Sequence, residues 1–204
     1  MEFLRNHPVI PVLSIDDIDS AEGAVSALQD GGIKCVEVAL RSANALSVLA
    51  HVCDRFPNMV VGAGSIREPL DFIKVIEAGA AFGVSPGCTR ELLEESQRWD
   101  LPYLPAAATV SELLTLMQTG VTTVKMFPAG SLGGAKYIKD VSAPLPGMQF
   151  VPSGGVNLDN MLDYLKMPVV PAVSGSWMLD STSIKNQDWQ TITDRTKETL
   201  KRLS

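Results

Sequence analysis

The chain is predicted to be an α/β protein folded as a single-domain (β/α)8 barrel of the TIM type. Three observations predict this fold. Eight short apolar runs recur along the 204 residues, roughly 19 to 27 residues apart. Segments with helix start and stop signals lie between most of them. Polar or glycine residues collect at the ends of the runs, where barrels of this type build their sites. An open doubly wound sheet is the alternative, but Ser14-Ile15-Asp16-Asp17 after the first run is unlike the Gly-x-Gly-x-x-Gly turn such a sheet usually shows. With 46% hydrophobic residues, a chain of this length can bury one core and is short for two.

The elements follow in order. Val9 to Ile15 is the first strand, and Asp19-x-x-Glu22 is a capping box for the helix that Gly31-Gly32 stops. Cys35 to Leu40 is the second strand, followed by a helical stretch from Ala45 to Phe56 with His51 on its solvated face. Met59 to Ala63 is the third, with Ser65-x-x-Glu68 as the next capping box and Gly79 as the stop. Ala81 to Val84 and Tyr103 to Ala107 are the fourth and fifth, and Thr109-x-x-Glu112 starts a helix that Gly120 ends. Thr123 to Phe127 is the sixth; Gly130 to Ala135 opens its helix poorly. Gln149 to Val151 and Val169 to Val173 complete the eight. From Asp188 a stripe of Trp189, Ile192, Thr196, Leu200 and Leu203 has helical spacing, which predicts a packing helix at about 188–203 within one domain spanning 1–204.

Composition excludes several classes of partner. The 17 basic and 23 acidic residues give a net charge of -6 with no dense basic stripe, so no nucleic acid is expected. Met1 to Pro8 carries charges and a proline where a signal peptide would be apolar, and no run reaches membrane-spanning length; a soluble, cytoplasmic protein is expected. Cys35, Cys53 and Cys88 are odd in number and form no Cys-x-x-Cys, as for buried or half-buried thiols in a reducing compartment. His7 and His51 have no partner at ligand spacing, so no metal site is expected.

Lys125 stands in the apolar run from Thr122 to Ala129. Strand alternation sets Thr123, Lys125 and Phe127 on one face and Val124 and Met126 on the other. Two readings stand. An edge-strand lysine lets its ammonium reach water, whereas a buried one becomes a nucleophilic amine able to form a Schiff base with a carbonyl compound. Glu37 is a second charge in an apolar strand, on the face of Cys35 and Ala39, with Arg41 two residues beyond. It reads either as a proton carrier or as one half of a structural ion pair with Arg41 or Lys125. Arg41 is either a surface charge or a clamp on a substrate carboxylate. Ser153-Gly154-Gly155 and Ser174-Gly175-Ser176 follow the last two strands, where many barrels hold a phosphate.

With these residues assembled, the chain resembles the bacterial class I 2-keto-3-deoxy-6-phosphogluconate aldolases, also called 4-hydroxy-2-oxoglutarate aldolases. The motifs that carry the resemblance are Val36 to Arg41, Gly62-Ala63-Gly64-Ser65, Ser85-Pro86-Gly87, Thr109-Val110-Ser111-Glu112, Lys125 to Ala129, Pro152 to Gly155 and Ser174-Gly175-Ser176-Trp177. The resemblance implies that Lys125 forms the Schiff base and Glu37 moves protons. It implies that Arg41 and Ser65 hold the pyruvyl carboxylate, that Ser153 meets a substrate hydroxyl, and that Gly154, Gly155, Gly175 and Ser176 seat the phosphate. Pro86 and Phe127 complete the implied substrate-binding set. A phosphorylated 2-keto acid substrate, a homotrimer, and neither metal nor cofactor are implied as well.

Departures from the family pattern are Ser65 and Ser153 in place of threonine, and Ala106 and Ser174 in place of glycine. Aldolases for the galactonate epimer tend to carry an apolar residue where Ser153 stands, so its hydroxyl favours the gluconate substrate. The alternatives are a galactonate-epimer aldolase, a sugar-phosphate isomerase, epimerase or synthase on the same barrel, and a barrel that binds a phosphorylated ligand without catalysis.

Overall fold

Apolar β-branched and small residues make the strands of the computed structural model, which describes residues 1–203. In chain order these are β1 (Val9–Leu13), β2 (Cys35–Ala39), β3 (Val60–Gly64), β4 (Phe82–Val84), β5 (Tyr103–Leu104), β6 (Ala106–Ala107), β7 (Thr123–Met126), β8 (Gln149–Pro152) and β9 (Val173–Gly175). All the pairs are parallel. The ladders run β5-β4-β3-β2-β1-β9 and β6-β7-β8. Only Pro105, which has no N–H to give, separates β5 from β6, so the two are one barrel strand with a gap in its ladder. A parallel bridge between Ser153 and Ser174 joins β8 to β9 and closes the ring. The result is the (β/α)8 barrel expected.

The helices are α1 (Ile18–Asp30), α2 (Ala45–Arg55), α3 (Pro69–Glu77), α4 (Arg90–Arg98), α5 (Val110–Gln118), α6 (Gly134–Ser142), α7 (Met161–Leu165), α8 (Ser181–Lys185) and α9 (Trp189–Lys201). Their inner faces and the outward strand residues, such as Val36, Val38, Val124 and Met126, form the main core. A second cluster fills the barrel itself: Leu4, Ile10, Cys35, Phe82, Val84, Leu104, Val151 and Ala172. Leu4 comes from a 3-10 turn over Glu2–Asn6. Burial pushes the Cys35 thiol up to about 12, and the nearby Glu37 charge adds to this.

Several expected boundaries move. The eighth strand begins at Val173 rather than Val169, because Pro171 cannot donate to the ladder; before it, Val169 contributes a single bond, from Phe150 N–H. The helix starts also shift. Asp17, not Asp19, caps α1 by accepting from Ser20 N–H. Glu68 caps α3 in a box with Asp71, which leaves Ser65 out of the helix. The box of Thr109 and Glu112 forms as expected. Gly79 and Gly120 have positive φ just beyond α3 and α5, the left-handed turn that ends a helix. His51 is not simply solvated: its Nε2 lies 2.7 Å from Glu22 on α1, tying two neighbouring helices together.

Helix α9 packs on α1 through its glycines. A Cβ at Gly23 would lie 2.5 Å from the Trp189 ring, and one at Gly31 would lie 2.4 Å from Thr196. Of the expected stripe, Ile192 and Thr196 are fully buried, while Trp189, Leu200 and Leu203 pack against the core at partial exposure.

Candidate active site at the barrel mouth

Taking β5 and β6 as one strand, β2 is second and β7 sixth around the ring of eight, so they face each other across the interior. Period-two alternation sends Glu37 inward above Cys35, and Lys125 inward between outward Val124 and Met126. They meet: Lys125 Nζ donates to Glu37 Oε1 at 3.3 Å, with side chains 5% and 2% exposed. The lysine is therefore no edge residue. Of the two partners considered for Glu37, the structure selects Lys125 over Arg41. The ammonium also lies 5.7 Å from the Phe127 ring centre, within reach of a cation–π attraction.

Gly64 makes room for the pair. A Cβ there would fall 2.1 Å from Glu37 Oε1, so only glycine lets the carboxylate lie along β3. The other carboxylate oxygen, Oε2, accepts from Ser174 Oγ at 3.4 Å, and Ser174 Oγ in turn accepts from Ser153 Oγ at 3.5 Å. All three residues are buried. Sequence reasoning placed Ser174 among the polar residues at the strand ends and as a departure in a phosphate turn, and missed this contact. The signal was present: alternation from Ala172 puts Ser174 on the inner face.

Arg41 is exposed at the exit of β2, and its Nε donates to Ser65 Oγ at 3.0 Å. Ser65 has φ +63, a left-handed conformation unusual for serine, directly after β3. The structure thus joins two residues assigned to one carboxylate. Pro86 is exposed on the loop after β4, where buried Ser85 donates to Gly87 C=O and pairs with Tyr103 Oη at 2.6 Å. Gly154 and Gly155 take φ of +84 and +79, a pair of left-handed residues that glycine alone adopts easily. Gly154 rests on the Phe127 ring, where an added Cβ would come within 3.2 Å. Gly175 belongs to β9 rather than to the turn beyond it, and lies under the Trp177 ring. Ser176 is exposed at the start of that turn. The mouth thus offers a buried amine–carboxylate pair, one exposed guanidinium and open backbone at the glycine turn.

A cavity of about 600 Å³ opens elsewhere, between α4 and α5, lined by residues that include Cys88, Leu93, Ala106 and Leu116. None of the site residues above lines it. Burial pushes the Cys88 thiol up to about 11, so no thiolate faces this cavity at neutral pH. Among the described residues, no group of three or more His, Cys, Asp or Glu is placed to hold a metal ion. No helix among them is long and apolar enough to cross a membrane.

The family described as KDPG and KHG aldolase matches residues 1–195. The chain belongs to this aldolase family. Among its relatives, the 2-dehydro-3-deoxy-phosphogluconate aldolase of Pseudoalteromonas atlantica is 36% identical over 193 residues, covering 95% of this chain and 90% of that protein. The KDPG aldolase of Legionella pneumophila, solved with pyruvate captured as a covalent carbinolamine intermediate, superposes with a TM-score of 0.93 at 39% identity. That match covers 96% of this chain and 95% of the other. The 2-keto-3-deoxy-6-phosphogluconate aldolase of Zymomonas mobilis, solved with 3-phosphoglycerate, gives 0.91 at 32% identity over 97% and 93% of the two chains. Membership makes this barrel an aldolase, a carbon–carbon lyase. Lys125 and Glu37 place an amine and a carboxylate 3.3 Å apart in its interior.

Proposed function

We propose that the protein is a class I, metal-independent aldolase that reversibly cleaves 2-keto-3-deoxy-6-phosphogluconate to pyruvate and glyceraldehyde 3-phosphate. It extends to 4-hydroxy-2-oxoglutarate, giving pyruvate and glyoxylate. The observation that carries this reading is the buried 3.3 Å contact between Lys125 Nζ and Glu37 Oε1.

Lys125 Nζ, having given a proton to Glu37, attacks C2 of the keto acid to form a carbinolamine. Loss of water leaves an iminium, which is the electron sink. As C3–C4 breaks, its electron pair flows to the iminium nitrogen and the C4 hydroxyl loses its proton, releasing the aldehyde and an enamine. Protonation of the enamine at C3 and hydrolysis return pyruvate and free Lys125. Arg41, oriented by Ser65, holds the C1 carboxylate, with Pro86 and Phe127 walling the carbon chain. Ser153 meets a substrate hydroxyl. Gly154, Gly155, Gly175 and Ser176 seat the phosphate.

The isomerase or epimerase reading instead predicts activity that survives Lys125→Ala. A barrel that only binds ligand would keep two buried charges at a folding cost with no return. The hydroxyl of Ser153 favours the gluconate over the galactonate substrate. Borohydride reduction with pyruvate should attach a three-carbon adduct to Lys125, located by peptide mass mapping. Full activity with Lys125 unmodified, or retained in Lys125→Ala, overturns the assignment.

A homotrimer belongs to the same reading. Val110, Leu114 and Met117 recur at helical spacing on one face of α5 and are 38%, 40% and 40% exposed, an apolar stripe that a second copy could cover. The free cysteines fit a cytoplasmic setting.

A further inference from the structure

Glu37 presents its two oxygens to different partners, and this separates two proton-transfer tasks. Oε1 faces Lys125 Nζ at 3.3 Å, which suits the proton moves of carbinolamine and enamine chemistry. Oε2 accepts from Ser174 Oγ at 3.4 Å; Ser174 accepts from Ser153 Oγ at 3.5 Å. Both serines are at least 95% buried, with exposures of 1% for Ser174 and 5% for Ser153, which keeps bulk water from their hydroxyls. Every donor points the same way, from Ser153 toward Glu37. The oxygen of Ser153 keeps a lone pair for a donor on the substrate side.

We propose that Ser153 and Ser174 form a two-hydroxyl relay carrying the C4 hydroxyl proton of the substrate to Glu37 Oε2 during carbon–carbon cleavage. The proposal rests on the aldolase reading above. As the C3–C4 electron pair moves to the iminium nitrogen, the C4 hydroxyl gives its proton to Ser153 Oγ. Ser153 passes its own proton to Ser174 Oγ, Ser174 passes its proton to Glu37 Oε2, and C4–O becomes the aldehyde carbonyl. Each hydroxyl gains one proton and loses one, and the carboxylate ends protonated, ready to return the proton in the synthetic direction. Contacts of 3.4 and 3.5 Å are long for O–H···O pairs, and such catalytic contacts tighten as the substrate engages.

The test separates two half-reactions. Exchange of the pyruvate methyl protons in D2O requires Lys125 and Glu37 but no C4 hydroxyl, whereas cleavage of 2-keto-3-deoxy-6-phosphogluconate requires all of them. Ser174→Ala and Ser174→Gly should lower kcat for cleavage about tenfold or more, the scale of an assisted proton transfer, with exchange and KM unchanged. Ser174→Thr, which keeps the hydroxyl, should restore cleavage. Unchanged cleavage in both hydroxyl-free variants overturns the relay. So does a parallel fall of exchange and cleavage in both while Ser174→Thr stays active, which would show that Ser174 only positions Glu37. If the wild-type protein neither exchanges nor traps pyruvate, the aldolase reading falls and the relay with it.

Discussion

At the scale of single residues, the governing fact is that Lys125 and Glu37 neutralise one another out of water. Either charge alone would sit in an apolar barrel with its partner gone, a state that destabilises proteins by about 3–5 kcal/mol. Lys125→Met should therefore lower unfolding stability by about that amount, and Glu37→Leu likewise. The double variant should recover much of the loss, because two apolar side chains of similar volume remove both desolvation penalties. Urea unfolding of the three variants measures this; additive losses in the double variant would show that the two charges do not depend on each other. The residue types of the pair were legible in the sequence, as charges within apolar runs. Their separation was not: 88 positions divide them, and no local pattern reports a 3.3 Å distance across a barrel.

At the scale of elements, local signals placed most helices and missed where some begin. A capping box requires only a hydroxyl or carboxylate three residues before an acid or amide, and several overlapping candidates satisfied that pattern. The helices start at Ile18 and Pro69, which makes Asp17 and Glu68 the caps, puts Asp19 inside α1 and leaves Ser65 at the exit of β3. The C-terminal pair of helices carries a pH dependence. Asp180 caps α8 and pairs with Arg195 of α9, and its carboxyl is held down to about 2, first by the Ser183 hydrogen bond and then by the Arg195 charge. A carboxyl depressed in the folded state stabilises it fully above the unfolded value near 4 and loses that contribution as pH falls toward 2. The side chain is 35% exposed, so solvent screening limits the effect to about 1 kcal/mol or less. Between pH 4 and 2, thermal unfolding of Asp180→Asn should thus vary less steeply with pH than that of the parent. Equal slopes would remove the acid from any part in stability.

At the scale of the whole molecule, one surface remains to be accounted for. Val110, Leu114 and Met117 leave an apolar stripe along α5. Leu114→Glu should convert a trimer to monomers in sedimentation velocity with little loss of fold, since the residue is 40% exposed; a parent protein that sediments as a monomer would overturn the trimer. The repeat of eight apolar runs, the charges inside two of them and the glycine turns after the last two were determined by the sequence itself, because periodicity and the burial of charge are local properties. Which strands stand opposite, that Lys125 rather than Arg41 meets Glu37, that Gly64 clears the space between them, and that Ser174 turns its hydroxyl onto the same carboxylate were decided only by tertiary structure. Ring closure through Ser153 and Ser174 brings those groups together. Closure is a long-range event, and it sets distances that no stretch of neighbouring residues encodes.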